Sequence, residues 1–151
     1  TMNQTDHSIL DKMNIDSDAI IINQCDGYRY EKFEYKGNII HFLSFAERGV
    51  GLSRNNALMR ATADICLFAD EDIVYVDKYK EIVIKAFREN PKADMIIFNI
   101  LSKNPERPIC KIQKESKVRW YNCLRYGAAR IAIKTDVIKQ KNIYLQNIFT
   151  Y

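Results

Sequence analysis

The sequence has no apolar run approaching the ~20 residues that a membrane-crossing helix needs. It opens Thr1-Met2-Asn3-Gln4-Thr5-Asp6, with no basic segment leading into an apolar one, so these residues do not read as a secretory signal. Its four cysteines, Cys25, Cys66, Cys110 and Cys123, form no Cys-x-x-Cys pair, and no histidine stands at zinc-ligand spacing. That excludes a zinc ribbon or a dithiol centre. Cys25 and Cys66 lie in or beside apolar runs and are expected as reduced core thiols of a cytosolic protein. There is no internal repeat and no low-complexity tract. There is also no aromatic–basic motif of the RNA-binding kind, so nucleic acid is not an expected partner.

What remains is ordinary globular material: 151 residues, 47% hydrophobic and 28% charged, enough for one domain around one core. The charge is unevenly placed. Residues 1–102 carry 12 Lys/Arg against 16 Asp/Glu, and residues 103–151 carry 11 against 3. An acidic front and a basic back suit a site that holds a cation with a polyanion around it; they equally suit a solvated basic face.

Apolar runs at 18–25, 38–45, 64–69, 93–100 and 127–133 read as strands, the first ending at the turn Asp26-Gly27. Residues 52–63, rich in Ala, Leu, Met and Arg, read as a helix by propensity. Tyr79, Ile82, Val83, Ala86 and Phe87 make an amphipathic stripe that predicts a helix over 77–90, stopped by Asn90-Pro91. A short helix is expected from Thr135 to Lys139, and 103–117 reads as a loop or edge hairpin. Buried strands alternating with helices predict an α/β domain, a mostly parallel sheet covered by helices.

The most informative feature is Asp70-Glu71-Asp72 at the carboxyl end of an apolar run, where open α/β sheets place their ligands. In an extended chain, Asp70 and Asp72 face the same way, about 7 Å apart at the backbone. Adjacent acids repel one another unless a cation or solvent separates them, and hard oxygen ligands select Mg²⁺ or Mn²⁺. The plainer alternative is an acidic turn capping the helix that follows. A rival pattern is Gly49-x-Gly51-x-x-Arg54 with Asp70 following, which echoes a dinucleotide-binding (Rossmann NAD) fingerprint. Arg54 there replaces the third glycine, the one that lets helix and strand pack closely, and Asp72 has no role in that scheme.

The run Arg48 to Leu58, followed by Ala63 to Asp72, resembles glycosyltransferase family 2, with its small-residue loop, Arg-Asn, alanine-rich helix and strand ending in D-x-D. Asn23-Gln24-Cys25-Asp26 and the segment Tyr126 to Ala132 are similar to its bacterial capsular and surface-polysaccharide members. The resemblance implies a Rossmann-like GT-A fold binding a nucleotide-diphosphate sugar, UDP-linked, with Mn²⁺ or Mg²⁺. It implies that Asp26 contacts the base and that the backbone of Thr1, Met2 and Asn3 lines the nucleotide pocket. Arg54 would lie near the nucleotide or brace the acids. Asp70 would hold ribose or metal, and Asp72 the metal. Transfer would invert the anomeric carbon, with a glycan or lipid-linked acceptor. The location implied is the cytoplasm, or the inner face of the membrane for a lipid-linked acceptor.

The resemblance also implies an apolar strand before Thr1, and a Gly-Glu-Asp base motif beyond Tyr151. The 151 residues are therefore expected to form a partial GT-A domain, with a basic segment at 103–151 leading toward the acceptor half. Such a fragment would bind donor without transfer and would self-associate through exposed sheet edges. A non-catalytic nucleotide-binding module on the same fold is the alternative. Arg130 and the lysines around it have no assigned role: they are expected as solvated surface, the alternative being that they face the diphosphate or an anionic acceptor.

Overall fold

The computed structural model describes residues 1–101, 112–119 and 126–141. In chain order it forms α1 (Ile9–Lys12), β1 (Ala19–Gln24), β2 (Arg29–Tyr35), β3 (Asn38–Phe45), α2 (Val50–Arg60) and β4 (Ile65–Leu67). These are followed by α3 (Tyr79–Glu89), β5 (Met95–Ile97), a 3-10 turn over Ala128–Arg130, β6 (Ile131–Lys134) and α4 (Thr135–Gln140). None of the described helices is long and apolar enough to cross a membrane.

The β-branched residues of β1 and the apolar run of β3 make parallel neighbours, in register from Ala19 opposite Ile40 to Gln24 opposite Phe45. β2 lies antiparallel on the outer edge of β3, from Arg29 opposite Ser44 to Tyr35 opposite Asn38. Its turn runs through Lys36 (φ 50°) and Gly37 (φ 75°), the double positive φ of a two-residue hairpin turn whose twist matches the strands it joins. One face of this sheet is covered by α1 and the residues after it. Ile9, Leu10, Met13 and Ile15 pack there with Ile40 and Phe42, and Phe33, Ile73 and Tyr75 close the edges.

The second sheet has the order β4-β6-β5, with both outer strands antiparallel to β6. α3 covers one face, where Val83 and Phe87 meet Ala132, Leu67 and Phe98. Leu58 of α2 and Ile138 of α4 cover the other, against Ile133, Cys66 and Phe68. Helices on both faces make this an α/β fold, as expected.

The expectation of a mostly parallel sheet is corrected: among the described residues one ladder is parallel and three are antiparallel. β4 and β5 do point the same way, but β6 runs between them in the opposite direction. It is held past the strand ends by Phe68 N–H to Ile131 O (3.0 Å) and Phe98 N–H to Arg130 O (2.8 Å). The α3 stripe is also narrower than expected, because Tyr79, Val83 and Phe87 are buried while Ile82 is 48% exposed. Cys25 and Cys66 are free thiols, half-buried rather than fully in the core. Of the expected loop at 103–117, residues 112–117 carry no regular element and the rest lie outside the described residues, as do Cys110, Cys123 and Tyr151.

Candidate functional site

The site is built outward from the carboxyl end of β1, where two consecutive amides point to opposite faces of the sheet. Asn23, 1% exposed, treats the backbone of Gln4 as a strand partner. Its Oδ1 accepts from Gln4 N–H (2.9 Å), and its Nδ2 donates to Gln4 O (3.0 Å) and Ser44 Oγ (3.2 Å). Gln24, 8% exposed, does the same for Gly49: Oε1 accepts from Gly49 N–H (3.1 Å), and Nε2 donates to Gly49 O (3.0 Å) and to Ser53 Oγ. Each side chain extends the hydrogen-bonded edge beyond the last strand residue and pins a neighbouring segment. Gly49 takes φ 145°, a backbone region that side chains with a Cβ rarely adopt, so glycine is required where the chain enters α2.

The two pinned segments are the ones the sequence singled out. Residues 1–3 run parallel to β1, with Met2 opposite Gln24, Asn3 N–H on Gln24 O (2.9 Å) and Gln24 N–H on Thr1 O (3.0 Å). From the loop before Gly49, Arg48 folds back on the same strand end. Its Nη1 donates to Gln24 O (2.9 Å) and Asn3 Oδ1 (3.4 Å), and its Nη2 donates to Asp26 Oδ1 (2.7 Å). The Asp26 side chain is 96% exposed, so this ion pair orients the carboxylate and adds little stability, at most ~1 kcal/mol.

The acidic triplet is not extended. Past Phe68 the strand has no ladder partner among the described residues, and Ile73 N–H bonds back to Asp70 O (3.1 Å), closing a turn. The extended arrangement expected for Asp70 and Asp72 is therefore not formed, and the three acids differ in their partners. Asp70 accepts from Arg54 Nη2 on α2 (2.7 Å). Glu71 Oε2 accepts from both Thr1 Oγ1 (2.5 Å) and Met2 N–H (3.0 Å). The Thr1 hydroxyl, with the Met2 N–H, holds the Glu71 carboxyl below its ordinary range despite some desolvation. Asp72 is exposed, and among the described residues its carboxylate has no hydrogen-bond or ion-pair partner. The turn does not cap a helix, since α3 begins only at Tyr79. The dinucleotide scheme has no place for the Arg54 side chain, which here donates to Asp70 Oδ1 (2.7 Å).

Among the described residues no group of three or more His, Cys, Asp or Glu side chains could hold a metal ion. Two aspartates at one turn still fit Mg²⁺ or Mn²⁺, which keep waters and take substrate phosphates in their other positions. A cleft of about 320 Å³ lined by Asn14, Asp16, Lys36, Val76, Asp77 and Lys78 lies at the opposite ends of β1 and β3 and contains none of these residues.

Asp26 and the turn of Asp70 and Asp72 thus stand on connections that leave β1 and β4, and Arg54 stands on α2, with residues 1–3 among them. The residues the sequence reading left out are Asn23, Gln24, Arg48 and Glu71, all within the motifs it quoted. Arg130, expected as solvated surface, is 4% exposed, with its guanidinium 5.8 Å from the Tyr126 ring. It is buried because it leads into the central strand of its sheet.

No curated protein and no solved structure matches the chain. The sequence model of Glycosyl transferase family 2 matches residues 5–142, which takes in both sheets and every helix described above. A match of that extent makes the chain a member of glycosyl transferase family 2, built on the GT-A fold and binding a nucleotide-sugar donor and an acceptor.

Proposed function

We propose that the chain binds a UDP-sugar together with Mn²⁺ or Mg²⁺ at the carboxyl ends of β1 and β4. We propose further that the protein transfers the sugar, with inversion, to a glycan or lipid-linked acceptor in capsule or surface-polysaccharide synthesis. The observation that carries the reading is the convergence of Asp26, residues 1–3 and the Arg54–Asp70 pair beside the exposed Asp72. In this reading the exposed Asp26 carboxylate accepts from the base, and the backbone at Thr1, Met2 and Asn3 walls the nucleotide. Arg54 limits the repulsion among the acids and keeps Asp70 oriented. Asp72, with Asp70, would hold the cation, whose chemistry when bound is to neutralise the diphosphate leaving group. No residue of the chain is assigned as the base, so donor binding, rather than transfer, is the property proposed for these 151 residues.

Calorimetric titration with UDP in Mn²⁺, repeated in EDTA and on Asp72→Ala, tests it. Binding that needs both the cation and Asp72 is the expected result. Binding that survives EDTA and Asp72→Ala unchanged would rule out the metal site. Metal-free binding of NAD(H) would favour the dinucleotide reading instead.

A further inference from the structure

We infer that Glu71, the residue between the two aspartates, positions the donor site by tethering the acidic turn to residues 1–3; this rests on the donor-site reading above. Among the described residues no strand ladder joins the two sheets: β4 pairs with β6, and residues 1–3 pair with β1. A nucleotide diphosphate bound as proposed has its base on the first sheet, at Asp26, and its phosphates on the second, at Asp70 and Asp72. Its affinity therefore depends on how those two ends are spaced. Glu71 spans the gap, across a sequence separation of 70 residues to Thr1 and 69 to Met2.

The geometry gives one oxygen of Glu71 a protein role of its own. Both donors converge on a single oxygen, Oε2, at 2.5 and 3.0 Å, so that oxygen is already engaged by protein. The carboxylate reaches residues 1–3, while Asp70 accepts from Arg54 on α2. A single acceptor oxygen is all the tether uses. The side-chain carbonyl of glutamine at this position supplies one, with no charge.

The test uses the full chain and two ligands, Mn²⁺ alone followed by electron paramagnetic resonance and UDP with Mn²⁺ followed by calorimetry, each below the melting range of every variant. Glu71→Ala is expected to weaken UDP binding about tenfold, the scale of one lost charge-assisted hydrogen bond. Its affinity for Mn²⁺ alone should stay within about twofold of the unmodified chain. Glu71→Gln restores most of the UDP affinity. Thr1→Val weakens it, while Thr1→Ser does not; these two decide the matter if Glu71→Ala fails to fold. Equal UDP affinity in Glu71→Ala and the unmodified chain overturns the tether. So does a parallel loss of Mn²⁺ and UDP binding in both Glu71 variants, which would make Glu71 a metal ligand. Failure of the unmodified chain to bind UDP overturns the donor-site reading itself, and is seen before any variant is compared.

Discussion

Removing the Gln24 side chain measures how much of the site is held by side-chain-to-backbone pairing. In Gln24→Ala, Gly49 loses the partner of its N–H (3.1 Å) and of its C=O (3.0 Å), and Ser53 Oγ loses a donor. Each bond is worth about 1 kcal/mol net, and a buried backbone group left without a partner costs about 1–3 kcal/mol. Gly49 is only half-buried, so water relieves part of that. The expected loss is about 2–3 kcal/mol, which for a chain of this size lowers Tm by about 5–10 °C. Gln24→Glu should cost at least as much, because a carboxylate oxygen would then face Gly49 O where an N–H now donates. Urea unfolding with an unchanged m-value, beside a thermal melt, measures it. A loss below about 0.5 kcal/mol for Gln24→Ala would refute the idea that this amide carries the loop. UDP affinity should fall along with stability, since the loop that the Gln24 side chain pins carries Arg48, whose Nη2 donates to Asp26.

Arg54→Ala should change fold stability by less than about 1 kcal/mol, because the Arg54 and Asp70 side chains are 21% and 51% exposed. Mn²⁺ binding without nucleotide should tighten in the same variant, since a cation beside a candidate ligand is gone; weaker Mn²⁺ binding would contradict that placement. Burial pushes the Cys66 thiol up, partly offset by the hydrogen bond with Thr135 Oγ1 (3.0 Å). The folded state thus holds the thiol proton more tightly than the unfolded chain. Its contribution to stability is full below the ordinary thiol pKa and is lost as pH rises through the raised one. Alkylation of Cys66, followed by mass spectrometry, should still be accelerating above the ordinary thiol range, and a plateau there would count against the burial effect.

The strands and helices were legible wherever burial writes a pattern. The runs at 18–25 and 38–45 are apolar because β1 is covered on both faces, by α1 and by α2, and β3 packs between β1 and β2. Tyr79, Val83 and Phe87 recur because one side of α3 meets the second sheet. β2 was missed although it carries a period-two signal. Glu31, Phe33 and Tyr35 alternate with exposed Tyr30, Lys32 and Glu34, and Lys36-Gly37 supplies the hairpin turn. An edge strand with charges on its outer side reads as loop to any search for apolar runs, and those charges also discourage pairing with another chain. Strand direction was illegible for a different reason. The place of β6 between β4 and β5 depends on the long connection from residue 98 to residue 130, and local periodicity carries no information about where such a connection lands.

The site divides the same way. Residue types at the strand ends were legible, because carboxylates gathered at the end of an apolar run need a reason to be there. The wiring was not, because it consists of single hydrogen bonds that leave no period. Asn23 and Gln24 read as the polar tail of a strand; in the fold each amide replaces a missing stretch of ladder and brings a loop into the site. Asp70, Glu71 and Asp72 read as a uniform triplet. The turn sends one to α2, one to residues 1–3 and leaves the third to solvent. A strand would have sent Asp70 and Asp72 to the same side. In the turn, Arg54 takes one oxygen of Asp70 and Thr1 with Met2 takes one of Glu71, while Asp72 has no protein partner among the described residues and keeps both acceptor oxygens open to whatever binds.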